Sequence, residues 1–223
     1  MLTDMLKPDI EVENGAESGE TIADSNGRGR FKKVLAEIKP GDFFIEQYAH
    51  NDMKSKAPNA AEKYKADLTE WVKQIKAKGA TPIVVTPMNR HTFQDGKVYN
   101  SFNVYPDMVR QVAKEQNVAL IDLTKMSATM YDAMGEQGSE QIFEHQTPEG
   151  RHDGTHQSPY GAFELARCIA LGIEQNAPQV GGLADHLKPE FTKFDPAHPE
   201  PDSEANFHVP PSPRRSTVSP LGS

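Results

Sequence analysis

The sequence predicts an α/β protein whose parallel sheet is covered by helices on both faces. Two apolar runs, "TPIVVTPMNR" and "VALIDL", lack polar alternation, as strands buried on both sides do. Segments of helical periodicity stand between and after them. The 223 residues are 36% hydrophobic, with the apolar positions clustered, which suits one domain with a substantial core rather than a disordered chain.

Each element has its own signal. "PDIEVEN" (8–14) alternates Ile10 and Val12 with acids and predicts a short strand ending in a turn. "RFKKVLAEIKPGD" places Phe31, Val34, Leu35 and Ile38 at helical spacing and closes on Pro40-Gly41. "DFFIEQYAHND" is a strand that ends in polar residues. Next, "AAEKYKADLTEWVKQIKAKGA" carries Tyr64, Leu68, Trp71, Val72 and Ile75 on one stripe, with Gly79 as its stop. After the "TPIVV" strand, "YPDMVRQVAKEQN" predicts a helix with Met108, Val109 and Val112 inward. "VALIDL" follows as a strand, then a short helix near Lys125–Met134 and a long polar loop. Ser158-Pro159 opens the last helix as N-cap and first-turn proline, and Phe163, Ala166, Ile169, Ala170 and Ile173 form its apolar stripe. From Leu187 onward the chain is Pro-rich and without periodicity, an irregular tail that either wraps the domain or stays disordered.

Composition excludes some functions. A net charge of -8, with basic pairs only at Lys32-Lys33 and Arg214-Arg215, argues against a nucleic-acid groove. No apolar run reaches membrane-spanning length, and "MLTDMLKPDI" lacks the charged start and apolar stretch of a signal peptide. The single cysteine, Cys168, falls on the apolar face of the last helix and reads as a buried thiol. Oligomeric state is not set by the sequence.

In such sheets, polar residues just past the strand C-termini converge on a crevice. Here those are Ser18, Gly19 and Glu20; His50, Asn51 and Asp52; Met88, Asn89 and Arg90; and the loop holding Asp153 and His156. A carboxylate three residues before a histidine can reach its Nδ1–H, fix the tautomer and leave Nε2 as a general base. A polar turn capping the helix is the commoner outcome of that spacing. A metal site from His145, His152, Asp153 and His156 is a weaker reading, because Gly150 and Gly154 give no sign of preformed geometry. Asn51 can aim its amide at a developing oxyanion, or simply end the strand in an Asn-Asp turn. Gly19 can offer an unobstructed backbone N–H, or be an ordinary turn glycine. Arg90 and His91 read as surface residues, with contact to a uronate or hydroxyls as the alternative.

The order of "NGAESGET", "KPGDFFIEQYAHNDMK", "TPMNRHTF", "LIDLTKMSATMY" and "DGTHQSPYGAFELARC" resembles the SGNH (GDSL-type) hydrolases, most of all their rhamnogalacturonan acetylesterase-like branch. The likeness runs from about Asn14 to Ile173. It implies a flavodoxin-like three-layer α/β/α sandwich that cleaves esters through a Ser–His–Asp triad and needs no metal or other cofactor. Gly19 and Asn51 would be oxyanion donors, and Asp153 would orient His156 as base. The expected substrate is acetylated polysaccharide or a small ester, and the parent protein would be secreted or periplasmic.

Two departures stand out. Ala49 occupies a place where the family carries glycine. No Gly-Asp-Ser occurs anywhere in the chain, although in the family that motif ends the first strand and supplies the nucleophile. The resemblance therefore implies a first strand that is absent, a domain over 1–186 that is N-terminally truncated or degenerate, and a tail over 187–223. Ser18 is the nearest substitute nucleophile, although its place matches the block that contributes a backbone donor. Ser25 and Ser158 read as turn and cap.

Overall fold

The structure is a computed structural model that describes residues 1–144, 153–199, 207 and 208. Twelve helices and strands position the site. They are α1 (Leu2–Met5), α2 (Ile22–Gly27), α3 (Arg30–Glu37), β1 (Phe43–Glu46), α4 (Ala60–Ala77) and β2 (Thr81–Val85). A hairpin of β3 (Phe93–Gln94) and β4 (Lys97–Val98) follows, then α5 (Tyr105–Gln116), β5 (Ala119–Ile121), α6 (Leu123–Ser139) and α7 (Pro159–Gln175).

The main sheet is parallel and three-stranded, in the order β1-β2-β5. Its register aligns Phe43 with Thr81 and Ile83 with Ala119. Alternation along β2 sends Ile83 and Val85 to one face and Val84 to the other. The first face packs with α6 and α7 residues such as Met130, Tyr131, Cys168 and Ile173. The second packs with Phe31 of α3, the α4 stripe and Val109 and Val112 of α5. Helices thus cover both faces, as the continuous apolar strands predict.

The α4 stripe is buried at all five expected positions. Trp71 stacks on Phe31 at 4.1 Å and donates its indole N–H to Asn26 at 2.7 Å, which joins α4 to α2 and α3. Cys168 is fully buried, and burial pushes its thiol up to about 12. Helix α7 begins as expected, with Ser158 Oγ accepting from the Gly161 N–H at 3.0 Å.

Three expectations need correction. Residues 8–14 form no strand. Pro8 and Asp9 stand in a turn, and Ile10 and Val12 lean half-buried on the α6–α7 side of the core, which produces the same apolar–polar alternation in irregular chain. The helix predicted near Lys125–Met134 extends over Leu123–Ser139, broken where Gly135 takes φ 75°. Ser25 lies inside α2 and is buried, so it is not a turn residue. Beyond α7, Leu187 pairs with Leu6 in an isolated antiparallel bridge, and Leu187 and Phe194 belong to the core.

Candidate active site

The residues past β1 fold into a tight turn because of one buried carboxylate. Asp52 Oδ2 accepts the Ala49 N–H at 3.0 Å, and its Oδ1 accepts the Ile22 N–H at 2.8 Å. Asp52 thereby closes the "AHND" turn and pins the start of α2 to it. Ala49, fully buried, sits at φ 95°, in the left-handed region that favours glycine. The glycine-to-alanine departure noted in the sequence is therefore a strained backbone position.

This closure brings Gly19 and Asn51 together. Asn51 Nδ2 donates to the Glu20 carbonyl at 3.3 Å, while its Oδ1 accepts from Lys54 Nζ at 2.7 Å. One amide N–H of Asn51 is thus left for a ligand. Gly19 adopts φ 77°, and no atom lies within 4 Å of where a Cβ would stand. The turn holding Gly19 is braced by Glu20, whose buried carboxylate accepts from Arg30 Nε at 2.9 Å. Between this turn and residues 47–51 lies a small crevice of about 150 Å³, lined among others by Glu17, Glu20, His50 and Asn51.

The acid–base pair forms by local geometry. Asp153 Oδ1 accepts the backbone N–H groups of Thr155 and His156 at 2.8 and 2.9 Å. Its Oδ2 lies 2.6 Å from His156 Nδ1. An ionised carboxylate only accepts, so the proton sits on Nδ1 and Nε2 is the open position. Partial desolvation works to raise the Asp153 carboxyl, but these hydrogen bonds outweigh it and hold the group down at about 2. The His156 side chain is 72% exposed, at the rim rather than among the crevice-lining residues.

Two consecutive residues connect the halves. Arg90 donates to the His50 carbonyl at 2.9 Å, and its guanidinium lies 4.5 Å over the Phe102 ring. His91 donates its backbone N–H to Gly154 at 2.8 Å, inside the Asp-Gly-Thr-His loop. Arg90 and His91 are thus half-buried brackets holding the two loops beside one another, not bare surface residues. His50 records the result. Burial first, then the positive charges of Arg90, His156 and Lys54, push its imidazole down to about 4.

Ser18 is exposed in the turn before Gly19. No cluster of three or more metal-ligating side chains occurs among the described residues. His145, His152 and Gly150, invoked in the metal reading, lie outside them, as do Arg214 and Arg215. Sequence reasoning missed the roles of Asp52, Arg90 and His91. Asp52 carried a signal, since an aspartate three residues after Ala49 can accept that residue's N–H, whereas the bracket bonds are long-range and had none.

Residues 1–162 match the profile of the GDSL-like Lipase/Acylhydrolase family. The chain belongs to this family. Among curated relatives, rhamnogalacturonan acetylesterase RhgT of Bacillus subtilis (strain 168) is 33% identical over 186 residues, covering 80% of this chain and 79% of RhgT. Probable rhamnogalacturonan acetylesterase YesY of the same organism is 32% identical over 175 residues, covering 76% of this chain and 79% of YesY. Among solved structures, YxiM of Bacillus subtilis superposes with a TM-score of 0.72 at 26% identity, over 81% of this chain. The chain spans 50% of that YxiM chain. Axe2, an acetylxylan esterase of Geobacillus stearothermophilus, shares the fold with a TM-score of 0.50 at 20% identity, over 70% of this chain and 68% of Axe2. The GDSL-like family resemblance makes the chain a carboxylic ester hydrolase by kinship, and among the described residues no helix is long and apolar enough to cross a membrane.

Proposed function

We propose that the chain carries the acid–base and oxyanion parts of a carbohydrate esterase that removes acetyl groups from a polysaccharide such as rhamnogalacturonan. The observation that carries this reading is the placement of the Asp153–His156 pair beside the turn that gathers Gly19 and Asn51, with Arg90 and His91 bonded to the two sides. The names of RhgT and YesY support the substrate class.

In this mechanism a hydroxyl oxygen, of a serine or of water, attacks the acetyl carbonyl carbon while its proton passes to His156 Nε2. Asp153 stabilises the imidazolium through Nδ1–H. The carbonyl electron pair moves onto oxygen, where the Gly19 N–H and the second Asn51 amide N–H receive it. Collapse breaks the bond to the sugar oxygen, which takes the proton back from His156. A water attack then gives acetic acid directly, and a serine attack gives an acetyl ester that a second cycle hydrolyses. Extracellular polysaccharide as substrate fits a secreted parent.

A second reading, binding without turnover, is favoured by His156 itself, which bonds Asp153 through Nδ1 but has no serine hydroxyl hydrogen-bonded to it among the described residues. Acetate release from acetylated rhamnogalacturonan, measured beside binding of the same polymer, separates the two. Release that requires His156 supports the esterase, and binding without release supports the second reading.

A further inference from the structure

The hairpin after β2 has a feature that catalysis leaves unused. Asp95 and Gly96 both take positive φ, 52° and 73°, which is the tight two-residue turn that matches strand twist. Phe93 pairs with Val98 in the ladder, and both side chains pack on the core. Asp132 fixes the hairpin from α6, accepting the Val98 N–H at 2.8 Å. One step outward, Thr92 and Tyr99 are locked to each other. The Tyr99 N–H donates to the Thr92 carbonyl and Thr92 Oγ1 donates to the Tyr99 carbonyl, both at 3.0 Å. Alternation therefore puts Tyr99 on the face opposite Phe93 and Val98, the side away from the core. It is 45% exposed.

Next in the chain, Asn100 closes a turn by accepting the Phe102 N–H and donating to the Asn103 carbonyl, each at 2.8 Å. The turn drives Phe102 inside, edge-on to His50 at 4.7 Å, and His50 lines the crevice. Tyr99 and Val104 flank it in the chain. These two are the exposed large hydrophobics of the described residues, and both belong to this one turn. A solvent-facing aromatic whose backbone is hydrogen-bonded on both its N–H and its carbonyl, on a segment whose buried member touches the crevice wall, is suited to the apolar face of a pyranose ring.

We propose that Tyr99 is a sugar-stacking subsite that holds a polysaccharide chain running on from the crevice. The subsite rests on the esterase reading above. A polymer acted on at one acetyl group presents neighbouring sugar rings, and an aromatic held in place by its own backbone loses little freedom on binding them.

The test is calorimetric titration of the wild-type chain, Tyr99→Ala and Tyr99→Phe with an acetylated rhamnogalacturonan hexasaccharide and with an acetylated methyl glycoside of a single sugar. Thermal unfolding checks that the variants fold. The affinity ratio of hexasaccharide to monosaccharide is expected to fall roughly five- to tenfold in Tyr99→Ala and to return in Tyr99→Phe. An unchanged ratio in Tyr99→Ala, with the wild type binding both, overturns the subsite and leaves the esterase reading standing. A wild-type chain that binds neither sugar overturns that reading and the subsite with it.

Discussion

Asp153 Oδ2 stands 2.6 Å from His156 Nδ1, and the same arrangement recurs within the chain, where Asp195 Oδ2 stands 2.8 Å from His198 Nδ1. Both pairs have Asp-x-x-His spacing, and in both the aspartate Oδ1 also accepts a backbone N–H two residues on. Such a turn therefore makes the hydrogen-bonded pair by itself. What separates the two is position, because only Asp153–His156 is bonded through Gly154 to the bracket that also holds the His50 turn. His198→Ala should leave acetate release at the wild-type rate. Asp153→Asn should lower it by about 10⁴, because an amide there no longer enforces the Nδ1–H tautomer. Comparable losses in both variants would show that the site is misassigned.

Asn51 is held by bonds that leave one amide proton free, so its loss removes a donor without removing a turn-closing group. Asn51→Ala is expected to cost roughly 10²–10³ in kcat. The turn should survive, because Asp52 closes it. A normal unfolding midpoint with reduced kcat supports the assignment, and a normal kcat removes Asn51 from the oxyanion site.

Ala49 carries strain at φ 95° with its backbone N–H already committed to Asp52. Replacing it by glycine relieves a left-handed alanine at the expense of a more flexible unfolded chain. Ala49→Gly should stabilise the protein by about 1 kcal/mol, seen as a rise of roughly 3 °C in Tm. A lower Tm would mean that the turn is not strained.

Two buried titratable groups give the stability a defined pH profile. Glu46, at the end of β1, makes no well-formed hydrogen bond through either carboxylate oxygen. Burial, then the nearby charge of Asp52, pushes it up to about 8, and the Val85 amide opposes this only in part. An acid that binds its proton more tightly when folded contributes fully below its ordinary value of 4.5, and that contribution is lost as pH rises toward 8. His50 acts the other way. Held neutral down to about 4, it loses its contribution as pH falls from 6.5 toward 4. Of these two groups, only Glu46 titrates between 6.5 and 8. Denaturant unfolding should weaken there by on the order of 1 kcal/mol per pH unit, and Glu46→Gln should flatten that slope. Parallel slopes in the two proteins would contradict the assignment.

The sequence was most legible where one element decides the outcome. Five apolar positions at helical spacing were enough to fix the buried face of α4, and Ser158-Pro159 was enough to start α7. The Asp153–His156 bond was legible for the same reason, since its partners lie three residues apart. The pattern at Ile10 and Val12 misled because an irregular segment that leans every second side chain on the core shows the same alternation as a strand. Arg90 and His91 were opaque because each acts through a hydrogen bond to a backbone carbonyl 40 or more positions away, which leaves no periodicity or spacing to read. The Asp95-Gly96 turn did carry a signal, but the paired segments beside it are two residues each, too short for alternation to register.

The most direct test of the site is acetate release from acetylated rhamnogalacturonan by the wild-type chain beside His156→Ala, with both shown to be folded. Release by the wild type that disappears in His156→Ala is the expected result. Equal release by the two proteins, or none from a folded wild-type chain, would contradict the assignment of His156 as the base of an acetylesterase.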